Sequence, residues 1–117
     1  MAEYLPTYLP GQRLTLKASA NITGGQLLEV SGDGTVAVAG AASTKVVGVA
    51  GFDAVTNDNV TVYAGGVQHL AASGAVTAGD QVAAAAGGKV ATGTTGAIGI
   101  ALSTAADGAQ VRVLFNR

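Results

Sequence analysis

Any chemistry in this chain would have to start from one histidine, His69, and seven carboxylates, Glu3, Glu29, Asp33, Asp53, Asp58, Asp80 and Asp107. A histidine base needs a nucleophile to deprotonate and a carboxylate to orient it. The alternation Val67-Gln68-His69-Leu70-Ala71 puts Val67, His69 and Ala71 on one face of a strand, and no Ser, Asp or Glu lies in that stretch. His69 therefore reads as a surface or structural residue. Two converging carboxylates would suit glycoside cleavage. Yet Asp33, Asp58, Asp80 and Asp107 each stand next to Gly or Asn, where a short carboxylate caps a backbone turn. No run has the alternating oxygen ligands of a calcium loop.

Two further stretches invite a chemical reading. Gly93-Thr94-Thr95-Gly96-Ala97-Ile98-Gly99 is glycine-rich, but a phosphate loop needs a following helix N-terminus and a Lys-Ser/Thr pair. Here an apolar strand follows and no lysine is present. Lys89 follows Gly87-Gly88 near a hairpin, and Gly79-Asp80-Gln81-Val82 resembles a turn of biotinyl or lipoyl carrier domains. The acidic and Met residues that flank a carrier lysine are missing. There is no cysteine, hence no disulfide framework, thiolate metal site or thiol nucleophile. The residues point to no enzyme, no cofactor and no metal site.

Composition narrows the classes further. Hydrophobic residues make up 49% of the chain but charged residues only 11%, less than half of what a free globular surface carries. Low charge near neutrality promotes association, so part of the surface is expected to be covered by neighbouring chains. The six basic residues, Arg13, Lys17, Lys45, Lys89, Arg112 and Arg117, are scattered. They form no stripe to follow a phosphate backbone, which argues against nucleic acid as a partner. No run of eighteen apolar residues is free of Gly or charge, so no helical membrane span is expected, and the N-terminus lacks the basic and apolar regions of a secretory signal.

The elements that would position any site are short strands. Leu14 to Ala18 alternates apolar and polar, as a half-buried strand does. Gln26 to Val30 and Thr35 to Ala39 flank the turn Ser31-Gly32-Asp33-Gly34, in which Asp-Gly accepts positive φ. Lys45 to Gly51, Val60 to Ala64 and Val67 to Ala71 follow. Gln81 to Ala86, Lys89 to Thr92, Ala97 to Leu102 and Gln110 to Phe115 complete the set. The run Ala83 to Ala86 favours helix by propensity but is too short to nucleate one, so it reads as strand. About ten short strands with frequent turn signals predict an all-β barrel or sandwich.

The strands fall into a repeated unit, one copy over 22–63 and a second over 76–114. Ile22-Thr23-Gly24-Gly25 matches Val76-Thr77-Ala78-Gly79, and Gly34-Thr35-Val36-Ala37 matches Gly88-Lys89-Val90-Ala91. After a short deletion, Val47-Gly48-Val49-Ala50 matches Ile98-Gly99-Ile100-Ala101, and Val60-Thr61-Val62-Tyr63 matches Val111-Arg112-Val113-Leu114. The shared positions are turn glycines and alternating apolar residues, as a structural duplication requires. The expected organisation is an extended arm over 1–13 and a single β-barrel domain over 14–117.

The arm repeats Tyr-Leu-Pro, as Tyr4-Leu5-Pro6 and Tyr8-Leu9-Pro10. Each proline fixes its own φ and holds the preceding leucine extended. Large side chains on a stiff extended stretch suit anchors for another surface better than a solvated tail.

Several stretches together carry a family resemblance. They are the arm from Met1 to Gly11, the segment Ala18 to Val30, Gly74-Ala75-Val76-Thr77-Ala78-Gly79-Asp80-Gln81-Val82, Ala97 to Ala101 and Asp107 to Val113. The chain resembles the capsid-cement, or head decoration, proteins of tailed bacteriophages over nearly its whole length. The resemblance implies a structural virion protein on the outer surface of the capsid. It also implies a major capsid protein as partner, bridging of neighbouring capsid subunits, and self-association as a homotrimer. Tyr4, Leu5, Pro6, Tyr8, Leu9 and Pro10 would then form a capsid-docking arm. The alternative is a β-rich adhesin or fibre-associated binding module, which would be expected to carry more than five aromatic residues for sugar stacking.

Overall fold

A computed structural model describes residues 13–116. These form ten strands: β1 (Leu14–Ala18), β2 (Leu27–Gly32), β3 (Thr35–Val38), β4 (Val46–Ala50), β5 (Asn59–Tyr63), β6 (Val67–Ala71), β7 (Gln81–Ala85), β8 (Lys89–Thr92), β9 (Ala97–Ala101) and β10 (Gln110–Phe115). The helical content is one 3-10 turn, Ala86–Gly88, at the β7–β8 hairpin. The all-β class and the strand set expected from the sequence are thus present. The alanine run extends as β7 because Val82, Ala83, Ala84 and Ala85 all find buried positions between neighbours.

The first five strands close into a barrel in the order β1-β3-β2-β4-β5. Antiparallel pairing joins β1 to β5, with Leu14 opposite Val62, and parallel pairing joins β1 to β3, with Ala18 opposite Val36. Inside sit Ala18, Ile22, Leu28, Val36, Ala50, Ala54, Val60 and Val62. The last five strands form a second sheet in the order β6-β10-β9-β7-β8. Its outer strands meet at a single parallel bridge, Ala72 to Val90, where the Ser73 amide donates to the Val90 carbonyl (2.7 Å). Where the sequence led to a single barrel domain over 14–117, the strands divide into the closed barrel and the second five-stranded sheet.

The two halves share hydrogen bonds position by position. Ile22 bridges Ala54 as Val76 bridges Ala105. The Gly25 amide donates to Ala50 (2.9 Å) as Gly79 does to Ala101 (2.8 Å), and Ser19 to Val36 (2.9 Å) as Ser73 to Val90. The Gly24 amide meets the Asp53 carboxylate (2.8 Å), and the matching Ala78 amide meets the Thr104 hydroxyl (3.1 Å). Gly34 and Gly88 occupy matching hairpins with φ of 70° and 73°. The correspondence reaches further back than the matched motifs did, because β1 and β6 also occupy equivalent places.

The halves are fused through side chains on the outside of the first barrel. Leu27, Ala39, Val46 and Val49 belong to one cluster with Leu70, Val82, Ala84, Val90, Ile98 and Val113 of the second half. The seam also carries hydrogen bonds, from the Ala42 amide to Ala84 (2.8 Å) and from Gln26 Nε2 to the Gly87 carbonyl (3.1 Å).

Candidate docking surfaces

The titratable residues are dispersed, and several of the carboxylates serve their local backbone. The Asp58 carboxylate accepts from the Val55 amide (3.3 Å), Asp80 from the Thr77 amide (3.1 Å) and the Thr92 hydroxyl (3.0 Å), and Asp107 from the Gly74 amide (2.8 Å). This is turn chemistry. Glu29 accepts from the Gly40 amide (3.1 Å). That bond, with help from the Ser43 hydroxyl and the charge of Lys45, holds its carboxyl below the ordinary glutamate range. Asp53 and Asp58 border a shallow depression of about 280 Å³ beside Asn21 and Val55. Among the described residues no group of His, Asp or Glu is arranged to hold a metal ion.

His69 is exposed on β6 and stands opposite Arg112 of β10. Its neighbours on that face are Val67 and Ala71, as the alternation requires. Lys89 begins β8, but the hairpin before it does not project. Gly88 is buried, and a Cβ there would press on Gln26 and the Leu27 backbone at 2.7 and 3.1 Å. A carrier domain needs its lysine at a free hairpin tip, and here that tip is the seam between the halves. The glycine-rich stretch from Gly93 leads into β9 and meets no helix.

The docking-arm residues Tyr4, Leu5, Pro6, Tyr8, Leu9 and Pro10 lie outside the described residues. Arg13 marks where that segment joins β1. With Tyr63, Gly65, Gly66 and Val67 it lines a cleft of about 250 Å³ at the junction of the halves.

Sequence reasoning missed an apolar row beside this cleft. On the second sheet Leu114 stands opposite both Val67 and Ile100. These three are 42%, 50% and 37% exposed, and Leu102 beyond Ile100 is 46% exposed. In the first half the places of Ile100 and Leu114 are taken by Val49 and Tyr63, which pair in the same way. There Val49 is 5% exposed, because it packs against the second half, while Tyr63 is 38% exposed. The sequence held a partial signal. Ile100 and Leu114 occupy outward positions in their strands, where alternation usually places polar residues. Which outward face is covered depends on how the halves pack, and the strand pattern does not encode that. Phe52 and Val55 add a separate exposed apolar spot on the first half.

Residues 9–116 match the family model described as phage cement protein. A crystal structure of the head fiber gp8.5 N base of bacteriophage phi29 is similar with a TM-score of 0.67. That likeness covers 90% of this chain and 93% of the other at 22% sequence identity, and so is a likeness of fold. No curated protein matches the chain.

Proposed function

We propose that this chain, which belongs to the phage cement protein family, binds the outside of an assembled bacteriophage head and stabilises it by bridging neighbouring major capsid protein subunits. The observation that carries this reading is the family match over residues 9–116, nearly the whole chain. The low charge, the exposed apolar row and the engagement of Asp58, Asp80 and Asp107 in turns support a binding role rather than a chemical one.

The mechanism is mechanical. Packed DNA pushes on the shell, and a protein spanning a junction adds buried area that must be broken before the junction opens. A standard interface buries about 1,600 Å² in total, and a small gain at each junction multiplies over the many junctions of a shell. Copies associate as a trimer, so that each covers apolar surface of the next. Tyr4, Leu5, Pro6, Tyr8, Leu9 and Pro10 form the docking element. The prolines leave little conformational entropy to be lost on binding, and each large side chain buried gains roughly 1.5–3 kcal/mol before ordering costs.

A reconstruction of decorated heads tests these details. The expected density lies outside the shell, over the junction of capsid subunits, with three copies in mutual contact. Isolated copies that each touch one capsid subunit would overturn both the bridging and the trimer.

A further inference from the structure

We infer that in the free protein the N-terminal segment, residues 1–12, lies across the outer face of its own second sheet and covers the row Val67, Leu114, Ile100 and Leu102. This goes beyond attachment to heads and concerns the protein before it meets a shell.

Three observations converge on this occupant. The first is the face itself. Cross-strand neighbours Val67, Leu114 and Ile100 form a contiguous apolar strip, and with Leu102 it exposes on the order of a few hundred Å², the upper range for a monomer's bare surface. Val49, the counterpart of Ile100 in the first half, is buried against the second half, whereas Ile100 is left 37% exposed among the described residues.

The second observation is where the segment begins. Arg13 and Val67 line the same cleft, so residue 12 starts at the edge of the row. Twelve extended residues reach about 40 Å. The row spans two strand spacings, about 10 Å. Tyr4 and Tyr8, four residues apart, are separated by about 13 Å when extended, which matches the strip. Tethering at its edge gives the segment a high effective concentration there compared with any second molecule.

The third is chemistry. Residues 1–12 contain Tyr4, Leu5, Tyr8 and Leu9 but one charged side chain, the acidic Glu3. The strip is apolar, and its charged neighbour on β10 is the exposed Arg112. Apolar anchors with an acidic end thus face an apolar strip with a basic border. On a head, the same segment exchanges this face for the shell, which releases two apolar surfaces together.

The chain has no cysteine, so Thr7→Cys gives a single attachment point for a nitroxide spin label on the free, full-length protein. Methyl signals of Val67, Ile100 and Leu114 are expected to broaden several-fold more than those of Val36 and Val60 inside the first barrel. Mixing spin-labelled chains with separate isotope-labelled chains should leave them sharp. Uniform weak broadening would overturn the proposal, and strong broadening in the mixed sample would show that the occupant belongs to a second copy. As a second arm, Ile100→Lys with Leu114→Lys places charge at exposed positions. Chymotryptic cleavage after Tyr4 and Tyr8 should accelerate roughly tenfold, a local opening of about 1.4 kcal/mol, with cooperative melting retained. Unchanged cleavage would also overturn the proposal. No head is present in either experiment, so its failure leaves the attachment reading standing, and failure to bind heads leaves this one standing.

Discussion

Gly48 and Gly99 show most plainly why single residues matter here. A Cβ at Gly48 would collide with the Tyr63 carbonyl, and one at Gly99 with the Leu114 carbonyl. Tyr63 and Leu114 are themselves equivalent, so both halves need glycine for the same backbone approach between their fourth and fifth strands. Gly48→Ala and Gly99→Ala should each cost roughly 1–3 kcal/mol by forcing strands apart, read as a lower denaturation midpoint with an unchanged slope. Neutral behaviour at either position would contradict the packing. Glu29 allows a second test. Its folded pKa is lowered by the Gly40 amide, so its ionised form stabilises the fold above the ordinary glutamate range. That contribution is lost as pH falls through the lowered folded value. The stability difference between the wild-type chain and Glu29→Gln should therefore be largest at neutral pH and vanish in acid. A difference that persists unchanged below that range would place the effect elsewhere.

At the scale of elements, the sequence was largely legible. Alternation located β1, β6, β8 and β10 at their observed bounds, because one face of each meets a core and the other meets water. The turn glycines Gly34 and Gly88 announced the hairpins, and the matched motifs fall on strands that take corresponding places in the two halves. Other features needed the folded chain. The parallel pairing of Ala18 with Val36 joins strands distant in sequence and has no local signature. The first five strands close a barrel and the last five form a sheet of their own, a division that the motif alignment could not separate from a single larger barrel. The alanine run stands as β7 because small side chains let Ala84 accept a bond from Ala42 across the seam. Gly34 and Gly88 separate the repeat from the seam. A Cβ at Gly34 meets open space, whereas one at Gly88 meets Gln26 and Leu27. Gly34→Ala should cost about 1 kcal/mol for its left-handed φ. Gly88→Ala should cost more, by roughly 1–3 kcal/mol, since the seam must also give. Equal melting temperatures for the two variants would show that the hairpin does not hold the halves together.

For the whole molecule, the exposed row, the cleft at Arg13 and the low charge describe a protein whose surface is completed by contact. The docking residues from Tyr4 to Pro10, expected as anchors from their types and spacing, lie outside the described residues. The row they are inferred to meet was not legible in the sequence, because which outward face is covered depends on how the halves pack. Attachment to bacteriophage heads is tested by co-sedimentation of the purified protein with intact heads, beside a chain lacking residues 1–10. Saturable occupancy is expected for the full chain and a sharp fall for the truncated one, whose melting transition stays cooperative because the strands begin at Leu14. A full chain that remains in the supernatant at every concentration would rule out attachment.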